Sequence, residues 1–203
     1  MATFGASSFF FAPFASAETA EAAPTYKDGF KIEGLMEVTD NPNFAEAEIF
    51  GDNVLQDDVR EFTDGTLNMK TNALIPEHFA KIFGITPEDD GTFAYPNEDS
   101  IPFGGAGYVQ VLKRKNEGYL YRAFFYTKVK AMIVGESAKT KEKGFSFEGE
   151  KLDMKFFKPL HGKTTYKYRN EFKTIEEAEG WLKTKLNITE AAATSEPDTG
   201  SGS

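Results

Sequence analysis

The chain is expected to be mainly β with some α (α+β): an antiparallel β-sandwich or barrel with a short flanking helix and a C-terminal helix. Three observations predict this. From Ala45 to Phe157, short β-type runs alternate with Asp-Gly and Asn-Gly turn signals. Phe alone contributes 20 of 203 residues, and aromatic residues favour pleated, half-buried surfaces. Clear helix start and stop signals occur in only two places, near residues 76 and 174.

Taken in chain order, Met1–Ala17 (MATFGASSFFFAPFASA) is apolar and ends in Ala-Ser-Ala, superficially a leader and its cleavage site. No Lys or Arg precedes Lys27 and Pro13 interrupts the run, so it lacks the basic start of a secretory signal. It reads instead as an extended arm whose Phe9, Phe10 and Phe11 pack on a β-surface, their own or a neighbour's. Residues 15–25 are Ala/Glu-rich and form a surface excursion. Lys31–Thr39 is the first core strand, ending at Asp40-Asn41-Pro42. Residues 44–58 look like a strand edge running into a long loop at 50–58. Val59–Lys70 is expected to be a tight hairpin around a type I′ Asp64-Gly65 turn. That turn sets Phe62 opposite Leu67 and Glu61 opposite Asn68.

Residues 75–84 carry Pro76 at the first helical position, Phe79, Ile82 and Phe83 as one apolar stripe, and Gly84 as the stop. A helix of about two turns is marginal alone and must dock on the sheet. Gly107–Lys115 and Tyr119–Val134, flanking Asn116-Glu117-Gly118, predict a second, longer hairpin. The loop 135–144 is polar, and Phe145–Phe157 alternates again through Phe145, Phe147, Leu152, Met154 and Phe156. Lys163–Arg169 is a possible strand. Thr174 and Glu177 form a capping box for a helix whose apolar side is Ile175, Ala178, Leu182 and Trp181. The organisation is therefore an arm and excursion over 1–30, a β domain over 31–158, a strand–helix extension over 159–188 and a disordered tail over 189–203.

Composition narrows the chemistry. Cysteine is absent, which excludes disulfides, thiol catalysis and thiolate metal sites. The formal net charge of −9 argues against a surface that binds nucleic acid by neutralising phosphates. No apolar run approaches the roughly 18 residues that span a bilayer. Gly104-Gly105-Ala106-Gly107 leads into a strand, so a tight backbone approach is expected there and not a phosphate loop. Asp57-Asp58 and Glu88-Asp89-Asp90 lack the alternating ligand spacing of a calcium loop. The two histidines, His78 and His161, sit in no motif with a nucleophile or second ligand, and His78 falls on the expected exposed side of its helix. No cofactor, metal or catalytic residue is expected. Lys113-Arg114-Lys115 and the set Lys163, Lys167 and Arg169 are the only basic concentrations, and the latter reads as an edge strand protected by charge.

The ordered set of motifs resembles the major tail tube protein family of long-tailed, non-contractile bacteriophages. It comprises the Phe-Phe-Phe-Ala-Pro start, Ala45–Phe50 leading to Asp57-Asp58, and Phe62-x-x-Gly65-Thr66-Leu67. The Ile75-Pro76-Glu77 helix closing at Gly84, Gly107-Tyr108 opening the long hairpin, Thr140-Lys141 before Phe145-x-Phe147, and the Phe172/Thr174/Ala178/Trp181-Leu182 ending complete it. The resemblance implies a tail-tube-type protomer that assembles into stacked hexameric rings in the virion, after synthesis in the bacterial host cytoplasm. Its partners would be other copies of itself, a tape-measure protein, and tail terminator and tail-tip proteins, with DNA passing through the lumen and no membrane involved. Glu61 and Asn68 are then candidates to line the lumen. Phe9, Phe10, Phe11, Asp57, Asp58, Lys139 and Lys141 are candidates for contacts between rings. Alternative readings are a tube protein of a contractile tail or injection particle, a carbohydrate-binding β-sandwich of a virion, which would need an exposed aromatic platform, and a hydrolase, which the missing local motifs disfavour.

Overall fold

The structure is a computed structural model that describes residues 2–51, 54–72, 74–115, 118–133 and 149–189. The elements in order are β1 (Ala2–Pro13), β2 (Phe30–Ile32), β3 (Leu35–Gly51), β4 (Val54–Thr71), α1 (Pro76–Phe83), a 3-10 turn (Glu98–Ser100), β5 (Phe103–Arg114), β6 (Gly118–Met132), β7 (Glu150–Phe157), β8 (Lys167–Phe172) and α2 (Ile175–Lys185). The protein is mainly β with two α-helices. Its strands form one antiparallel sheet in the order β2-β1-β5-β6-β7-β4-β3, with β8 also pairing β6. It is a single sheet path, not two stacked sheets.

The path curls because its two ends are joined. β2 runs into β3 through Glu33 and Gly34, and Gly34 takes a φ of 66°, a turn that suits a residue without a side chain. Asn72 donates its backbone N–H to the Gly34 carbonyl and Thr71 Oγ1 donates to the Glu33 carbonyl, fastening the joint. Inside the curl lie Phe9, Phe11, Ile32, Leu67, Tyr126, Leu152, Met154 and Phe156, with Ile82 and Phe83 brought in by α1. The outer face of β1, β5 and β6 is apolar through Phe10, Val109, Ala123 and Phe125, and α2 covers it with Ala178 and Leu182.

Both helices form where the sequence signals them. Pro76 starts α1, and Gly84 ends it in the left-handed conformation at φ 68°. Thr174 caps α2 with a reciprocal Glu177 bond, and acids early and lysines late suit the helix dipole. The long hairpin is β5–β6, paired from Phe103↔Lys130 to Arg114↔Gly118. Leu152, Met154 and Phe156 are buried on β7 at period two. The tight packing expected at Gly104–Gly107 is met: a side chain on Gly107 would sit 2.5 Å from Leu182 and 2.8 Å from the Phe124 carbonyl.

Several expectations need correction. Asp64-Gly65 is not a turn: β4 runs straight through it, pairing Asp64 with Asn43 and Phe157, and Gly65 with Pro42 and Phe156. Gly65 is needed because a side chain there would collide with the Phe156 ring and crowd the Asn41 carbonyl. Phe62 and Leu67 therefore lie apart along one strand, opposite Phe44 and Asp40 of β3, and are not partners across a turn. The first strand does not run from Lys31 to Thr39, since the chain breaks at Gly34 and β3 continues past Asp40-Asn41-Pro42 to Gly51. Pro42 is tolerated because β3 is the outer strand of the sheet. Of the loop expected at 50–58, residues 50–51 end β3 and 54–58 begin β4, while 52 and 53 lie outside the described residues. The expected arm is an inner strand, β1, flanked by β2 and β5. The strand expected at Lys163–Arg169 forms at Lys167–Phe172. The loop 135–144, Phe145, Phe147, the Asn116-Glu117 turn and the tail beyond residue 189 lie outside the described residues.

Candidate functional site

The β3–β4 hairpin is longer than the sheet that supports it. β4 pairs with β7 only from Thr71↔Glu150 to Asp64↔Phe157. Before Asp64, residues 54–63 have β3 as their only partner among the described residues, from Phe44↔Phe62 to Gly51↔Val54. A two-stranded ribbon therefore runs past the end of β7, and among the described residues no further strand pairs with either of its edges. Residues 41–47 are all exposed, and Phe44 and Val59 show 36% and 47% of their surface. Isolated two-stranded ribbons are marginally stable in water, and long open edges attract another strand.

The base of the ribbon is anchored. Phe62 stacks on Tyr166 at 3.7 Å and on Phe156 at 5.7 Å between ring centres. Phe44 meets Phe62 edge-on at 6.0 Å, and the Arg60 guanidinium lies 4.2 Å above Phe44 while its Nε sits 3.0 Å from Glu46. Lys158 Nζ is 2.5 Å from Glu61 Oε1, and this hydrogen bond and charge lower the Glu61 pKa. Deeper in, Lys167 pairs with Asp40 and lies 5.1 Å above the Tyr126 ring. Burial, then the proximity of Tyr108 and Asp40, pushes the Tyr126 hydroxyl far above its usual pKa.

Glu61 and Asn68 are seven residues apart, so in an unbroken strand they would lie on opposite faces. Between Asn43↔Asp64 and Phe44↔Phe62 one residue, Thr63, is left over. Such a bulge resets the alternation, so Phe62 joins Phe156 on the inner side and Glu61 returns to the outer face with Asn68. Among the described residues no helix covers that face, over β3, β4 and β7. Its surface is a mesh of polar pairs: Asn41–Asn68, Asn43–Asp64 at 2.7 Å, Lys155–Asp64 at 2.6 Å and Lys70–Glu37 at 3.1 Å. Hydrogen bonds from Asn43 and then Lys155 hold the Asp64 carboxyl below its usual range. A shallow depression of about 200 Å³ opens here between Glu37, Asn68, Lys70, Lys151 and Asp153.

The other candidates are dispersed. Phe9, Phe10 and Phe11 are fully buried in this chain's own core, so their packing surface is their own and they are closed to a neighbouring ring. Asp57 and Asp58 lie on β4 opposite Ile49 and Glu48, and Lys139 and Lys141 lie outside the described residues. His78 is not on an open surface: its ring stacks on Phe30 at 4.2 Å with Nδ1 buried and unbonded, and burial, then Lys81, lowers its pKa. His161 Nδ1 is 2.7 Å from Thr164. Among the described residues no three His, Asp or Glu side chains gather as a metal site, and no helix is long and apolar enough to cross a membrane.

One cluster escaped the sequence reading. Glu171 on β8 accepts hydrogen bonds from Arg122 Nη2 at 2.7 Å and Nε at 2.9 Å, and from Arg114 Nη2 at 2.8 Å. The Arg122 hydrogen bond leads in lowering the Glu171 pKa, with Arg114 and Arg169 adding their charges. The basic runs at 113–115 and 163–169 were visible as separate stretches. Only the pairing of β8 with β6, which sets Arg122 opposite Glu171, joins them. Comparison with models of known families and with curated proteins finds no match.

Proposed function

We propose that this chain is a structural, self-assembling protein: the protomer of a tube of stacked hexameric rings, as in the tail of a long-tailed bacteriophage. The observation that carries the reading is the β3–β4 ribbon, whose edges have no further strand partner among the described residues and which exposes Phe44 and Val59, a sheet left for a neighbour to complete. In a ring each ribbon would pair with the next copy, and closure would remove the edges that a lone monomer presents. The motif order given above supplies the specific family, and the mainly β architecture with two docked helices is compatible with it.

Within that reading, the uncovered outer face bearing Asn68 and Glu61 faces the lumen. Its cations are largely answered by carboxylates, as a wall must be if DNA phosphates are to pass without sticking. Screening in physiological salt cuts off beyond about 8 Å, so this local balance matters more than the net charge of the chain. Among the described residues the most exposed aromatics, Phe44, Tyr95 and Tyr119, lie on β3, in the connector after α1 and on β6, separate parts of the chain.

Negative-stain microscopy of the purified chain at rising concentration tests the proposal. Rings and tubes of uniform width are the expected result. A protein that stays monomeric at the highest reachable concentration would overturn it.

A further inference from the structure

We infer that His78 is an acid-sensitive latch on α1: its neutral ring holds the helix against β2 beside the inner core, and a proton added to that ring loosens the helix. The inference stands apart from the assembly reading and does not rest on it.

α1 depends on its contacts with the sheet. It spans only Pro76–Phe83, about two turns, too short to persist in water without docking. Ile82 and Phe83 reach the inner core, where they are 0% and 4% exposed. Next to them the link to β2 is His78, whose ring lies flat on Phe30 at 4.2 Å between ring centres and 12° between planes. Phe30 in turn meets Phe11 of β1 at 5.9 Å, so the stack joins the helix to the core.

This seat accepts a neutral imidazole and resists a charged one. Nδ1 is buried and has no hydrogen-bond partner. A neutral ring can keep its proton on Nε2 and leave Nδ1 bare, whereas a protonated ring must donate from both nitrogens. A buried N–H without an acceptor is strongly unfavourable. His78 also stands in the first turn of α1, where the helix dipole already presents positive charge. Lys81 follows at the three-residue spacing that makes helix side chains neighbours, and its Nζ lies 5.5 Å from the centre of the same Phe30 ring.

Counter-charge is scarce around the ring. Burial and then Lys81 lower the pKa of His78, and Glu77 of the same helix opposes them. β1 has no charged residue from Ala2 to Pro13. Lys31 of β2 is turned to Glu179 and Glu33. The acids of the connector after α1, Glu88, Asp89, Asp90, Glu98 and Asp99, are all exposed. A base whose folded pKa is lowered gives stability that is whole above its unfolded pKa, about 6.5 for histidine. That stability is lost as pH falls through the folded value. The carboxyls of Glu61, Asp64 and Glu171 are held low by their partners and stay ionised over this range, so α1 loosens while the ion pairs of the sheet persist.

Hydrogen exchange of the full-length chain at about pH 7.5 and about pH 5, on either side of the histidine value, tests this. Rates are corrected for intrinsic exchange, and circular dichroism is the folding control. In the parent, protection of residues 76–83 should fall several-fold on acidification while that of β5 and β6 holds. His78→Phe keeps an aromatic ring on Phe30 and removes the titration, so its protection of 76–83 should not change with pH. Lys81→Gln removes the neighbouring cation and should shrink the fall. Protection of 76–83 that is equal at both pH values in the parent, or that falls as far in His78→Phe, overturns the inference. An NMR titration of the parent in which the His78 ring ionises at or above the value of a free imidazole overturns it as well, whether or not the variants fold.

Discussion

Glu171 shows how much a single side chain can hold when two strands converge on it. Its carboxylate ties Arg114 of β5 and Arg122 of β6 to β8. Glu171→Gln is expected to cost about 1 kcal/mol at neutral pH, a figure kept low because the side chain is still 28% exposed. The pH dependence has a definite sign. A carboxyl whose folded pKa is lowered stabilises the protein fully above its unfolded pKa, and the benefit fades as pH falls through the folded value. Urea unfolding of parent and variant should therefore differ at pH 7 and converge well below pH 4. Gly65 makes the same point by absence. Gly65→Ala drives a methyl group into the Phe156 ring and is expected to cost about 1–3 kcal/mol by the same measurement. Asp64-Gly65 reads as a hairpin turn in one dimension, yet the glycine serves a close approach between β4 and β7 that no local pattern encodes.

At the level of elements, those with local causes were legible and those with distant causes were not. Pro76 and Gly84 delimit α1, and Thr174 with Glu177 starts α2, because caps act within a few residues. The β5–β6 hairpin was legible because both arms flank one turn. The length of β3 was hidden, since Pro42 signals an ending unless the strand is known to be an edge, and edge position is a property of the sheet. The Thr63 bulge was equally invisible, and it is what puts Glu61 and Asn68 on one face. Among the helices, α2 depends on Leu182, which is fully buried and fits into the space left by Gly107. Leu182→Ala is expected to destabilise by about 2–5 kcal/mol in thermal or urea unfolding. The ribbon should behave oppositely. Replacing residues 46–59 by a short turn should leave a cooperatively folded monomer that no longer forms tubes. In the parent monomer, amides of 44–47 and 59–63 should exchange with solvent faster than those of β5 and β6, because most of these ribbon residues are exposed.

For the whole molecule, the mainly β class followed from aromatic content and alternation, whereas the single curled path did not. Long-range order depends on which strands meet, and β1 illustrates this: its phenylalanines look like an arm looking for a surface, and they are buried on a strand held between β2 and β5. The basic cluster around Glu171 was legible only in fragments for the same reason. The antiparallel pairing of β4 with β7 also governs how the base of the ribbon carries mechanical load. Tension applied to the ribbon tip runs along the strand axis, so the β4–β7 rungs are strained together in shear instead of being unzipped singly. A sideways tug would open them one by one. The β4–β7 seam is thus stiff against pulling along its strands and yielding against peeling.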